Sequence, residues 1–385
     1  MKTLVKPAQR IIFHWAQFGP YHADRCLGLA RALGDTHQVI GVAFAGHSRE
    51  YLWQPLSEGV GFQMEIFFPG KMVEEVSFLR RLSGLLFSCF RLRAKHIFLC
   101  HCTAPETLFS AIILRLCGKR VYVMSESKFD DKPRSIWFEL FKKIIYLPYC
   151  GGLVGGRRTW DYLRFLGCSD NRLAEGYDSI SIDRVQAEAG VDPAPAGMAF
   201  QDRHFTIIAR FVPKKNIDMA IDAYARYRER VGSSARALVI CGSGELEKDL
   251  KARADGIAGI QFPGFLQSKA IAKTLSQSLA LILPSTEEQW GLVVNEALAL
   301  GVPALVSDNV GSRDSLVRNG VNGYVFEPDN PEGLARFMED IAGNEALWQR
   351  LVEGANAMAP MGDVARFAEG VCKLTGIVAP TRDNK

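Results

Sequence analysis

The chain has 385 residues, 48% of them hydrophobic and 23% charged, with a formal net charge of +4. This is the composition of a soluble globular protein, and the length suits two domains. No run of about 18 uncharged apolar residues occurs, which excludes a membrane-spanning helix, and residues 1–7 lack the apolar core of a secretory leader. The nine cysteines are odd in number and scattered, so reduced thiols in a cytoplasmic enzyme are expected. Cys100-His101-Cys102 is too tight for zinc and has no second ligand pair. Residues 1–185 hold 25 Lys+Arg against 17 Asp+Glu, and the remainder 21 against 25. A basic first half suits an anionic partner.

In chain order, residues 10–16 read as a buried strand, 17–22 as a loop and 23–33 as a helix. A glycine-containing loop after the first strand of a parallel sheet lies at the carboxyl edge, where ligands bind. Gly19 in that loop allows close approach to the backbone. Further strands are predicted at 37–44, 61–68, 96–102, 120–125 and 152–154. Helical patterns lie between most of them, so this half reads as a mostly parallel α/β sheet. Residues 78–95 are apolar with five basic residues and no acid, and residues 137–146 are similar. Such a helix either lies on an anionic membrane surface or packs on a core with a basic solvent face. Glu126 and Ser127 end a strand and are candidates for ligand contact. Gly176-Tyr177-Asp178 is a polar stretch. Residues 181–201 lack clear periodicity, include Asp192-Pro193-Ala194-Pro195, and are read as the linker.

The second half restarts the alternation. Strands are predicted at 204–210, 237–241, 260–265, 280–284, 304–307 and 324–326. Helices are predicted at 216–230, 245–253, 270–276, 331–342, 345–358 and 363–374. Two similar open sheets in tandem put a cleft between their carboxyl ends. The second half centres on Glu288-Gln289-Trp290-Gly291-Leu292-Val293-Val294-Asn295-Glu296, a loop running into a helix with two carboxylates eight positions apart. The free N–H groups at such a helix mouth, near Gly291, Leu292 and Val293, suit a phosphate. The carboxylates suit sugar hydroxyls beside it, or are first-turn acids favoured by the helix dipole. Arg210 and Lys215 follow a strand and can converge on one anion. Cys241-Gly242-Ser243-Gly244-Glu245 begins like a dinucleotide fingerprint, but the position that needs glycine is Glu247, and no P-loop occurs either.

Residues 204–340 resemble the nucleotide-sugar domain of the GT-B glycosyltransferases, specifically the large retaining family 4. The resemblance rests on Ala209-Arg210-Phe211 with Lys215, Cys241-Gly242-Ser243-Gly244-Glu245-Leu246, and Phe262-Pro263-Gly264-Phe265. It continues through Pro284-Ser285-Thr286-Glu287-Glu288 to Glu296-Ala297, where Glu288 and Glu296 match the family's E-x7-E, and through Gly301-Val302-Pro303 and Gly320-Val321-Asn322-Gly323-Tyr324. The N-terminal match is weaker and uses Phe18-Gly19-Pro20-Tyr21 and residues 155–167. Asn216 stands where the family usually has Gly, and Trp290 where Phe is common.

The resemblance implies an α/β protein with two Rossmann-like domains facing each other across a cleft. Residues 1–190 would bind the acceptor and 191–360 the nucleotide-sugar. The helix and tail of 361–385 would pack back on the first domain. It implies a retaining, metal-independent, hexosyltransferase-like enzyme without cofactor. Arg210 and Lys215 would neutralise the donor diphosphate, Glu288 would hold donor-sugar hydroxyls, and Glu296 the ribose. Gly19, Gly242, Gly291, Leu292 and Val293 would line the donor, with Phe265 and Leu266 near the base. Glu126, Ser127 and His22 are candidates for acceptor or sugar contacts, with His14 and His101 weaker ones. The donor would be a UDP-sugar, with GDP an option. The acceptor would be a glycan or lipid-linked oligosaccharide, as in bacterial surface-polysaccharide assembly, with contact to the inner face of the plasma membrane through residues 78–95. Two alternatives are a non-catalytic nucleotide-sugar-binding subunit and a GT-B-shaped epimerase, although the epimerases lack this E-x7-E spacing. No nucleic-acid-binding signature occurs.

Overall fold

The computed structural model describes residues 9–49, 61–131 and 134–380. The expectation about residues 1–7 and the end of the tail, 381–385, lie outside it. The chain divides into two compact units. The described part of the first comprises residues 9–129, 134–181 and 364–380; the second comprises 182–363 with 130–131.

The first unit alternates strand and helix: β1 (Gln9–Gln17), α1 (Pro20–Leu33), β2 (His37–His47), β3 (Gln63–Met72), α2 (Phe78–Arg91), β4 (His96–Leu99), α3 (Pro105–Leu116), β5 (Arg120–Ser125), α4 (Ile136–Tyr146), β6 (Gly151–Val154), α5 (Arg157–Phe165) and β7 (Leu173–Glu175). All strands are parallel, in the order β3-β2-β1-β4-β5-β6-β7. Both faces of the sheet are covered, which is why β1 reads as one apolar run rather than an alternation. Ile11, Phe13 and Trp15 point to the α1 side. Ile12 points to the other face, where α2, α3, α4 and α5 share a single core. Three-residue β7 was not predicted, being too short to show a period.

The second unit begins with α6 (Ile182–Ala189). It continues through β8 (His204–Ile208), α7 (Ile217–Val231), β9 (Leu238–Cys241), α8 (Glu247–Ala254), β10 (Ile260–Gly264), α9 (Ser268–Ser276), β11 (Ser278–Leu283), α10 (Leu292–Ala299), β12 (Ala304–Ser307), α11 (Arg313–Leu316), β13 (Gly323–Phe326), α12 (Pro331–Gly343) and α13 (Glu345–Met358). Its parallel sheet has the order β10-β9-β8-β11-β12-β13. The boundary expected after residue 190 falls instead between Ser181 and Ile182. The start of the expected linker is α6, which buries Val185 and Ala189 and donates from Gln186 to the Ala299 carbonyl at 2.8 Å. Two buried positions are too few to read as a period. The last helix, α14 (Val364–Thr375), belongs to the first unit. Its Phe367 ring lies 5.2 Å from Phe13, and the Val364 N–H donates to the Ile180 carbonyl at 2.9 Å.

Candidate active site

In the second unit, two loops at the carboxyl edge of the sheet are stitched together by the main chain. Asn216 has φ 53°, a left-handed conformation that glycine and asparagine adopt with least strain. Its side-chain amide donates to the carbonyls of Pro284 at 3.0 Å and Pro328 at 2.7 Å. The Thr286 N–H donates to the Lys214 carbonyl at 2.9 Å. These bonds bring Lys215 to Glu288, and the two form an ion pair. Glu288 also accepts from the Ser285 hydroxyl at 3.2 Å. Both charged side chains keep some exposure, 13% and 15%, so the pair is open to a ligand. Arg210 lies on the exposed surface just past β8.

The segment that carries Glu288 is fixed from its other side. The Gly311 and Ser312 N–H groups donate to the carbonyls of Glu288 and Trp290, at 3.1 and 3.0 Å. A Cβ at Gly311 would lie 1.7 Å from the Gln289 carbonyl oxygen, so no other residue fits there unless the loop moves. Trp290 is buried and donates to Asn295 at 2.9 Å, and Asn295 in turn donates to the Gly362 carbonyl at 3.1 Å. An indole in place of a phenyl ring thus gains a hydrogen bond. Gly291 caps α10 with φ 93°. Leu292 and Val293 are the first two helical positions, whose N–H groups find no partner inside a helix. Glu296 lies further along α10 and is buried.

Gly242 sits elsewhere in the packing. A Cβ there would lie 1.9 Å from the Ala209 carbonyl oxygen, and its N–H is taken by the Gly264 carbonyl at 2.8 Å. Its glycine character therefore serves the close approach of the β8 and β9 ends. Phe265 is half exposed past the end of β10, with Leu266 beside it.

In the first unit, the carboxyl edge is built from side chains. Gly19 is buried at the start of α1, and its N–H donates to His22 Nδ1 at 3.0 Å. The His22 ring stacks on Trp15 at 4.6 Å. Trp15 donates to the Tyr177 hydroxyl at 3.0 Å, which lies 3.4 Å from Cys100 Sγ. Arg25 pairs with Asp178 at 3.3 Å. Burial, then the charge of Arg25, push His22 well below the usual imidazole range, so it is neutral. Burial and the neighbouring Glu126, which shares a hydrogen bond with Asp178, push Asp178 well above the carboxylate range. Burial works to raise the Cys100 thiol, but His101 outweighs it and the thiol sits below its ordinary value. Ser127 lies half-buried beside Glu126, whose carbonyl accepts from Thr159 at 3.1 Å.

This arrangement gathers Gly19, His22 and Glu126 near residues that sequence reasoning passed over: Trp15, Arg25, Cys100, Tyr177 and Asp178. The only signal for the last two was the polar run at 176–178. His101 is exposed, with φ 56°, a conformation that costs a residue with a side chain and that accumulates at functional sites. His14 is not a ligand candidate. It is sealed in the sheet against Phe44 at 4.3 Å, and neither ring nitrogen has a hydrogen-bond partner among the described residues. Among the described residues, no group of three His, Cys, Asp or Glu side chains is placed to hold a metal ion.

Residues 197–358 match the model of the family described as glycosyl transferases group 1. The second unit is a group 1 glycosyl transferase domain. The chain is 26% identical over 162 residues to an uncharacterized glycosyltransferase of Methanocaldococcus jannaschii, covering 41% of this chain and 40% of that one. It is 28% identical over 225 residues to the D-inositol 3-phosphate glycosyltransferase of Streptomyces griseus, covering 52% and 47%. It thus spans less than half the length of these relatives. Among solved structures, Anabaena HepE in complex with UDP superposes with a TM-score of 0.70 at 14% identity, covering 96% of this chain and 100% of that one. Sucrose-phosphate synthase from Thermosynechococcus elongatus gives 0.70 at 15% identity, covering 96% and 98%. These likenesses extend beyond the glycosyl transferase domain to the first unit, and the fold is GT-B, with two Rossmann-like domains.

Proposed function

We propose that the protein is a retaining, metal-independent glycosyltransferase of the family 4 type. It moves a sugar from a nucleotide-sugar, UDP-linked by preference over GDP, to a hydroxyl of a glycan or lipid-linked oligosaccharide. The observation that carries the reading is the Lys215–Glu288 pair, held in loops at the carboxyl edge of a group 1 glycosyl transferase domain beside the mouth of α10. UDP in a structural relative supports the choice of base.

In this reading Lys215 and Arg210 take the charge of the diphosphate as the bond from its oxygen to the anomeric carbon breaks. The N–H groups of Leu292 and Val293 after Gly291 add to that clamp. Glu288 releases Lys215 to the phosphate and accepts from the donor-sugar hydroxyls, while Glu296 takes the ribose hydroxyls. Phe265 and Leu266 lie along the base. The acceptor oxygen attacks the same face of the sugar, and its proton passes to the leaving phosphate. Positioning and fixed charge supply the rate, so no metal or cofactor is required. His22, Glu126 and Ser127 form the acceptor side, and the enzyme works at the inner face of the plasma membrane with residues 78–95 near lipid. No helix among the described residues is long and apolar enough to cross a membrane.

The test is a thermal-shift screen against UDP-, GDP-, ADP- and dTDP-sugars without added metal. At about 100 times Kd the expected stabilisation is roughly 2.7 kcal/mol. A shift confined to UDP-sugars supports the reading, and none with any nucleotide-sugar would overturn it.

A further inference from the structure

Helix α4 is inside out. A surface helix turns its apolar stripe to the core and its charges to water. In α4, Ile136, Trp137, Phe138, Leu140, Phe141 and Ile144 are exposed, Trp137 at 79%. The inward positions include Glu139 and Lys142, whose side chains are 1% and 8% exposed. These charges are fully engaged. Lys142 bonds Glu139 at 3.1 Å and the Tyr162 hydroxyl at 2.8 Å, Tyr162 donates to Glu139, and Arg134 bonds Glu139 at 3.2 Å. Burial alone would raise Glu139, but the hydrogen bond from Tyr162 and the nearby cations outweigh it and hold it below its ordinary value. The ionic network thus packs α4 against α5 in one orientation and keeps the apolar ridge outward.

The ridge does not stand alone. On the same sheet face, α2 exposes Leu79 and Phe87 and α3 exposes Phe109 and Leu116. Large apolar side chains left exposed on three helices of one sheet face point to a contact site. Cations are threaded through it: Arg91 lies 5.8 Å from the Phe87 ring, Lys119 5.9 Å from Phe90, and Lys143 5.3 Å from Phe165. The acids on these helices are spent locally. Glu106 and Glu139 are buried, and Asp161 pairs with Arg157 at 3.0 Å. A second copy meeting this face across a two-fold axis would set cations against cations. An anionic lipid surface takes both parts, the cations at its headgroups and the ridge at its hydrocarbon border.

We propose that α4 is the membrane-inserting element of this protein, seating Trp137, Phe141 and Ile144 in an anionic lipid surface on which α2 and α3 rest through their basic rims. The proposal rests on the lipid-surface part of the function above and moves its main contact from residues 78–95 to α4. Its test is flotation of the full chain with vesicles of phosphatidylcholine and phosphatidylglycerol (3:1) and of phosphatidylcholine alone, at low salt. The protein should float with the anionic vesicles. The double substitution Trp137→Ser and Phe141→Ser should weaken binding by about tenfold or more, and Leu79→Ser with Phe87→Ser by less. Brominated lipid should quench the tryptophan fluorescence of the native protein, and Trp137→Phe should remove most of that quenching. Native flotation by the α4 double variant, or a larger loss from the α2 pair, would overturn the assignment. So would a concentration-dependent dimer in light scattering, abolished by the α4 substitutions, without vesicle binding. The UDP-sugar thermal shift reads the donor site separately: its persistence in a variant that no longer floats separates membrane docking from transfer.

Discussion

The carboxyl edges of the two sheets hold their polar groups by different means. In the second unit the main chain is what is held: the Asn216 side-chain amide and the Thr286, Gly311 and Ser312 N–H groups all donate to carbonyls of neighbouring loops, and the charged heads of Lys215 and Glu288 remain partly open. In the first unit side chains hold one another: Trp15 supports His22 and Tyr177, Tyr177 reaches Cys100, and Arg25 holds Asp178. A backbone-held site can be written as a short motif, because few residue types fit a left-handed φ or a 1.7 Å approach. A side-chain-held site is assembled from residues as far apart as Trp15 and Tyr177, 162 positions, and leaves no local pattern.

The largest test of this contrast is chemical. Lys215→Ala and Glu288→Ala should each cut turnover by about 10²–10⁴, with the thermal midpoint little changed, because the loops are held by other atoms. Near-native transfer by either variant would sink the site assignment. Next is the backbone itself. Gly311→Ala places a methyl group against the Gln289 carbonyl and should cost about 3 kcal/mol of stability, read from chemical denaturation. A neutral result would mean that the loop relaxes freely and that Glu288 is not held as described.

The same contrast explains what could be read from the sequence. The alternation of strands and helices was legible because both sheets are parallel and buried on both faces, so strands such as residues 280–284 stand out as apolar runs. The Lys215 and Glu288 loops were legible because their turns demand particular residues. The start of the second unit was not, since α6 buries only Val185 and Ala189. Gly242 has a packing role that its sequence did not reveal, because a glycine needed for packing and one needed for a phosphate read alike. Tyr177, Asp178 and Arg25 had no motif, and the inverted polarity of α4 was hidden because its composition matches that of an ordinary amphipathic helix.

A smaller effect separates buried from open imidazoles in the first unit. Burial, aided by the charge of His101, lowers His14 from 6.5 to about 3. Below pH 6.5 the unfolded chain binds a proton that the folded one refuses, so this group's contribution to stability is present above that pH and lost as pH falls toward 3. At pH 5 the loss is about 2 kcal/mol. His14→Leu should flatten the acid limb of a stability–pH profile by that amount. Parallel native and variant profiles would show that His14 reaches water.

The smallest effect isolates the backbone term at Asn216. Both Asn216→Gly and Asn216→Ala lose the bonds to Pro284 and Pro328, so the two variants differ only in what a Cβ costs at φ 53°. Alanine there should be less stable than glycine by about 1 kcal/mol, even though alanine is the better residue in ordinary helical backbone. Transfer by the glycine variant should stay within a few-fold of native, because the Thr286 bond to Lys214 still joins the two loops. Equal stability of the two variants would mean that the turn is not left-handed in solution. Asparagine would then stand at this position for its two hydrogen bonds alone, and the backbone account of the second unit would lose the residue by which it replaces a glycine.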